Sequence, residues 1–105
     1  MVYRVVTAAD AKRDLKRAAA YIRRDSPAAS RRWMAQILGA IQTLARNPER
    51  CKMAPEAEMF GGPIRELLFG GGNRGTYRVL FTITEDFVIV LRVRHGSMLP
   101  LTPSN

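Results

Sequence analysis

The spacing of apolar positions changes twice along the chain. Val2 to Val6 is short, β-branched and aromatic, which predicts a first strand. Ala11, Leu15, Ala18 and Ile22 follow at spacings of four, three and four, which puts them on one helical stripe. Lys12, Arg13, Lys16, Arg17, Arg23 and Arg24 fill much of the rest of that helix. Thr7 stands three residues before Asp10, as in a capping box, so the helix is expected over Ala8 to Arg24. Asp25-Ser26-Pro27 breaks the pattern: serine is a good N-cap, and proline suits a first helical position. Ala29, Trp33, Ile37, Ile41 and Leu44 then make a second stripe, with Met34, Leu38 and Ala45 beside it. Asn47-Pro48 ends it, because a residue before proline avoids the helical region. Two amphipathic helices around so short a break predict an antiparallel helical hairpin.

Beyond Pro48 the period becomes that of strands. Arg50 to Pro63 has no clear period and carries Pro55, Gly61, Gly62 and Pro63, so it reads as a connection. Ile64 to Phe69 predicts a strand. Gly70-Gly71-Gly72-Asn73-Arg74-Gly75 follows it as a mobile hairpin loop. Thr76 to Thr84 alternates, with Tyr77, Val79, Phe81 and Ile83 on one face and Arg78, Leu80 and Thr82 on the other. Glu85-Asp86 makes a turn. Phe87 to Arg94, apolar on both faces until Arg92, reads as a central strand. Residues 95–105, with Pro100 and Pro103, are expected to form a loosely ordered tail. The expectation is one α+β domain over residues 1–105: an N-terminal strand, an antiparallel helical hairpin, then a three-stranded antiparallel meander. Its core is expected from Leu15, Ile22, Trp33, Ile37, Leu44, Tyr77, Val79, Phe81, Ile89 and Leu91.

Charge changes the picture. Seventeen Lys and Arg face nine Asp and Glu, a net charge of +8, which attracts polyanions or an acidic protein. Cys51 is the one cysteine, so the chain has no internal disulfide, and a reducing, cytoplasmic setting is expected. Arg50 and Lys52 flank Cys51 and are expected to lower its pKa. The longest apolar run, Phe87 to Leu91, is too short to span a bilayer, so no membrane partner is expected. No metal-ligand spacing or cofactor fingerprint is present, so neither a metal nor a cofactor is expected.

Three clusters could carry chemistry. The glycine run lacks the Lys-Ser/Thr ending of a phosphate loop, and a strand follows it rather than a helix. Arg65, Arg78, Arg92 and Arg94 fall on the meander. If Arg92 and Arg94 align with Arg78, the sheet face away from the helices carries a basic patch for RNA phosphates or a partner's carboxylates. His95-Gly96-Ser97 ends the last strand; the histidine either caps the strand or serves as an acid–base group.

The stretches Ala11 to Ile22, Asp25-Ser26-Pro27, Leu44-Ala45-Arg46-Asn47-Pro48, Tyr77-Arg78-Val79-Leu80-Phe81 and Val93-Arg94-His95-Gly96-Ser97 come in an order that resembles the RelE/ParE superfamily of bacterial type II toxins. The resemblance implies the same strand, helical hairpin and meander. It also implies one of two activities: ribosome-dependent mRNA cleavage in the RelE-like branch, or inhibition of DNA gyrase in the ParE-like branch. The mRNA-cleaving members use second-strand lysines, the arginine of the Tyr-Arg motif, an arginine just after the last strand and a C-terminal tyrosine. Here Arg78 matches the Tyr-Arg position and Arg65 could stand in for one lysine. Leu67 takes the other's place, Met98 stands where both branches often show arginine, and no tyrosine follows Tyr77. The ParE-like branch fits better, which implies a binding protein with no catalytic residue. The alternative is a nuclease built on Arg65, Arg78 and His95, or a non-toxic antitoxin-binding module. The resemblance further implies a toxin–antitoxin hetero-oligomer. In it a small antitoxin with an acidic C-terminal segment lies along the hairpin and sheet, against Arg13, Arg17, Trp33, Arg78, Arg92 and Arg94.

Overall fold

A computed structural model describes residues 1–103; Ser104 and Asn105, at the end of the expected tail, lie outside the described residues. The order is β1 (Arg4–Thr7), α1 (Ala9–Arg23), α2 (Pro27–Gln42), two short 3-10 turns (Thr43–Ala45 and Pro48–Arg50), α3 (Glu56–Phe60), β2 (Arg65–Gly70), β3 (Thr76–Ile83) and β4 (Phe87–His95). The strand, helical hairpin and meander expected from the sequence are all present. The four strands form one sheet in the order β1-β4-β3-β2. β1 pairs parallel with β4, and the other two pairings are antiparallel.

Local chemistry explains most boundaries. Ser26 caps α2, its hydroxyl accepting from the Ala29 N–H at 3.1 Å, and Pro27 takes the first helical position. The capping box expected at α1 does not form. Thr7 is the last residue of β1, Ala8 is the N-cap without a side-chain bond, and Asp10 instead pairs with Arg13 one turn on. β1 claims Thr7 because its ladder with β4 runs as far as Thr7 opposite Val90.

The hairpin packs on one face of the sheet. Ala11, Leu15, Ala19 and Ile22 of α1 meet Trp33, Ile37 and Ile41 of α2 and Tyr77, Val79, Phe81, Val88, Val90 and Val93 of the sheet. Trp33 lies edge-on to Tyr77 and Phe69, with ring centroids 5.0 and 6.4 Å apart. In β4 the core residues are Val88, Val90 and Val93; the expected Ile89 and Leu91 are only half-buried. A register shift causes this. Phe81 faces Val90 but Leu80 faces Arg92, so Leu91 is an extra residue on β4. One inserted residue moves every later side chain to the other face. Without it, Arg92 and Arg94 would point into the apolar core.

The opposite face is also covered, by the connection and the tail. Ala54, Leu80 and Leu101 form a second apolar cluster with Ile64 packed against it. Where the sequence leads one to expect a loose tail, Leu101 is buried and its N–H reaches Glu56 at 3.1 Å. Among the described residues no helix is long and apolar enough to cross a membrane.

Candidate functional site

The meander arginines divide by strand phase, because cross-strand partners share a face. Arg78 faces Arg94 and Arg92 faces Leu80, so these three share the face away from the hairpin. Arg65 faces Phe81 and His95 faces Tyr77, both core residues, so Arg65 and His95 belong to the other face. They also sit four positions apart along β3, which is roughly 13 Å of strand. The fold therefore does not bring the nuclease candidates Arg65, Arg78 and His95 together.

Each of these residues has a structural partner. Arg65 donates to the carbonyls of Cys51 at 2.7 Å and Glu49 at 3.3 Å, tying the connection to β2. His95 stacks edge-on against Tyr77 at 5.0 Å. Its Nδ1 accepts from the Ser97 N–H at 3.1 Å, which leaves Nε2 to donate to the Arg74 carbonyl at 2.9 Å. That bond closes the glycine loop. A Cβ on Gly75, at φ 73°, would sit 2.8 Å from His95 Nε2, so this position requires glycine.

Arg78 departs furthest from expectation. Strand phase predicts a solvated charge on an uncovered sheet face; instead Arg78 is buried, because α3 and the tail lie over it. Its Nη1 and Nη2 donate to the two Glu56 carboxylate oxygens at 3.0 and 2.7 Å. Nε and Nη2 donate to Glu66 Oε1 at 3.0 and 2.8 Å. Every nitrogen of the guanidinium is used, and two carboxylates face one cation. Hydrogen bonding to Glu56 raises the Arg78 pKa against the opposing effect of burial, so the charge is permanent. Burial pushes the Glu56 carboxyl up, but Arg78 and the Leu101 N–H outweigh it and hold it below its ordinary value. Lys52 adds a weaker contact to Glu66 at 3.5 Å. At Arg78 the expected basic patch is thus neutralised from within. Sequence reasoning missed Glu56 and Glu66; for Glu66 the available signal was a carboxylate within the expected strand Ile64 to Phe69, which needs a cation once buried, and nothing comparable marks Glu56.

Arg92 pairs with Asp14 of α1, its Nε and Nη2 donating at 2.7 and 3.1 Å. Asp14 also accepts from the Val93 N–H at 2.9 Å, capping β4 where β1 has ended. Arg17, Arg92, Arg94 and His95 come together around a groove of about 490 Å³ between α1 and the end of β4. Asp14, held by Arg92, also lines it, with Tyr21, Tyr77, Ser97 and Met98 among its walls, and Tyr21 and Met98 are exposed. Arg13 lies outside this groove, exposed and paired with Asp10. Trp33 is core, and its edge lines a smaller pocket of about 320 Å³ with Arg32, Phe69 and Arg74. Cys51 is buried, and burial raises its pKa against the opposing Arg50 and Arg65, the reverse of the expected direction. Among the described residues no cluster of ligating side chains could hold a metal ion.

The model of one family, described as ParE toxin of type II toxin-antitoxin system, parDE, matches residues 5–100. No curated protein matches the chain. Among solved structures it is similar to a chain titled "Chromosomal ParDE TA system from P. aeruginosa". The TM-score is 0.67 at 16% identity, over 90% of this chain and 96% of that one. That likeness carries the fold: a strand, a helical hairpin and a mixed four-stranded sheet.

Proposed function

Because the chain belongs to the ParE toxins of type II toxin–antitoxin systems, we propose that it arrests growth by binding DNA gyrase, and that a cognate acidic antitoxin neutralises it. The observation carrying the target is the state of Arg78. A phosphoryl-transfer site needs a cation free to meet charge that develops in the transition state. Four of the five Arg78 N–H groups donate to Glu56 and Glu66, so its charge is already met by two buried carboxylates that an RNA phosphate would have to displace. Its would-be helpers Arg65 and His95 belong to the other face and are engaged elsewhere. A binding protein needs only its surface, and the +8 charge supports both an acidic antitoxin and a polyanion-associated target.

Two assays on the same protein test this. Purified toxin added to gyrase should block supercoiling of relaxed plasmid, and primer extension on cellular mRNA after induction should show no new cuts. Codon-phased cuts with supercoiling untouched would replace this reading with ribosome-dependent cleavage. Growth arrest absent altogether would leave an antitoxin-binding module.

A further inference from the structure

The three arginines that β3 and β4 direct away from the hairpin differ in what they face. Arg78 has Glu56 and Glu66, and Arg92 has Asp14. Arg94 makes no ion pair among the described residues, the nearby Asp14 being held by Arg92 and Glu56 by Arg78: its Nη2 donates to the Leu99 carbonyl at 3.0 Å. Its Nε is buried without an acceptor, the one such side-chain atom among the described residues. A buried donor left unmade is costly, and more so on a charged group. Burial and the neighbouring Arg92 push the Arg94 pKa down and outweigh the opposing pull of Asp14 and Glu56.

Arg94 also lines the groove between α1 and the end of β4. Arg17 lies on its rim, and the exposed Tyr21 and Met98 give it apolar walls. The whole chain carries a charge of +8. A wall of this kind suits an amphipathic segment whose apolar side chains meet Tyr21 and Met98 and whose acids meet the arginines.

We infer that Arg94 is the anchor of this groove, where one carboxylate of the acidic antitoxin segment docks side-on across Nε and Nη2. Asp14 already binds Arg92 through the same two nitrogens. The incoming carboxylate supplies the missing acceptor at Nε and replaces the Leu99 carbonyl at Nη2. Leu99 can yield readily, since its side chain is exposed. Leu101 stays seated, held independently by Glu56 and its own apolar cluster. The inference rests on the toxin–antitoxin reading and adds to it the residue and the chemistry of recognition.

The test titrates full-length toxin with the full-length antitoxin of its operon by calorimetry. Wild type is compared with Arg94→Gln, Arg94→Lys and the control Arg32→Gln, each first matched to wild type in thermal unfolding. Loss of one charge-assisted pair should weaken Arg94→Gln roughly 10- to 100-fold. Arg94→Lys should recover only part, because an ammonium cannot bind side-on at two points, and Arg32→Gln should bind like wild type. One Glu→Gln or Asp→Asn change in the antitoxin should cause the same loss, and combining it with Arg94→Gln should add little more. Binding by Arg94→Gln within twofold of wild type would overturn the anchor while the toxin–antitoxin reading stands. No binding by wild type would remove both. If Arg94→Gln does not fold, the acid-to-amide series read against wild type and Arg94→Lys decides alone: equal losses on both toxins overturn the anchor.

Discussion

The two faces of the sheet are buried by different physics. Toward the hairpin, Tyr77, Val79, Phe81, Val88, Val90 and Val93 pack on two amphipathic helices, and one ion pair, Arg92 with Asp14 of α1, ties the end of β4 to them. Each such side chain contributes about 1.5–3 kcal/mol by leaving water. On the other face a short helix and a tail cover Arg78, Glu56 and Glu66 beside a small apolar cluster. That arrangement adds little net stability, because desolvating three charges offsets most of their attraction. What it fixes is position. One guanidinium joins β3 to β2 through Glu66 and to α3 through Glu56, and Glu56 holds the tail at Leu101. The apolar face is tolerant in kind and sensitive to volume. The ionic face is tolerant of volume and intolerant of losing one partner.

The largest expected effect breaks the ionic face. Arg78→Ala leaves buried Glu56 without a cation and Glu66 with only the weak Lys52 contact, and should cost about 3–5 kcal/mol in urea denaturation. A loss under about 1 kcal/mol would mean that water already reaches the site. Trp33→Ala tests the apolar face at a similar size: removing a buried indole from between hairpin and sheet should cost about 3–5 kcal/mol. The two should part under acid. The folded pKa of Glu56 is depressed, so its contribution is complete above the ordinary carboxylate value of 4.5 and is lost as pH falls through the lowered folded value. Thermal unfolding of wild type and Trp33→Ala should therefore shift downward together in acid, while Glu56→Gln, already less stable at pH 7, should shift less. Parallel curves for all three would remove Glu56 from the acid response. The smallest effect lies outside both faces. Arg13→Ala breaks an exposed pair with Asp10, should change stability by under about 0.5 kcal/mol, and should leave the acid response alone.

The same contrast explains what was legible in the sequence. The hairpin announced itself because its stripes repeat at a helical period and Ser26-Pro27 marks the break. The meander was legible from Thr76 to Thr84, where alternation is clean. The core phase of β4 was not, because Val88 to Leu91 is apolar throughout and nothing in the run marks Leu91 as the extra residue. The ionic face was hidden for a different reason. Glu56 reaches Arg78 from 22 residues away and Glu66 from 12, so no spacing rule relates them. Arg78, Arg92 and Arg94 could be placed together by phase. Which of them lacked an ion pair depended on carboxylates from α1, α3 and β2.

The most direct measurement separates structure from chemistry at Arg78. Replacing the network together, as Arg78→Met with Glu66→Met and Glu56→Gln, removes the charges, while the amide introduced by Glu56→Gln keeps an acceptor for the Leu101 N–H. The triple variant should unfold cooperatively near the wild-type midpoint. On the proposed reading, in which Arg78 holds the fold rather than meeting a phosphate, induced expression should still arrest growth, and purified protein should inhibit gyrase supercoiling within a few-fold of wild type. A triple variant that folds but has lost growth arrest, beside a wild type that cuts mRNA in codon phase, would contradict the account.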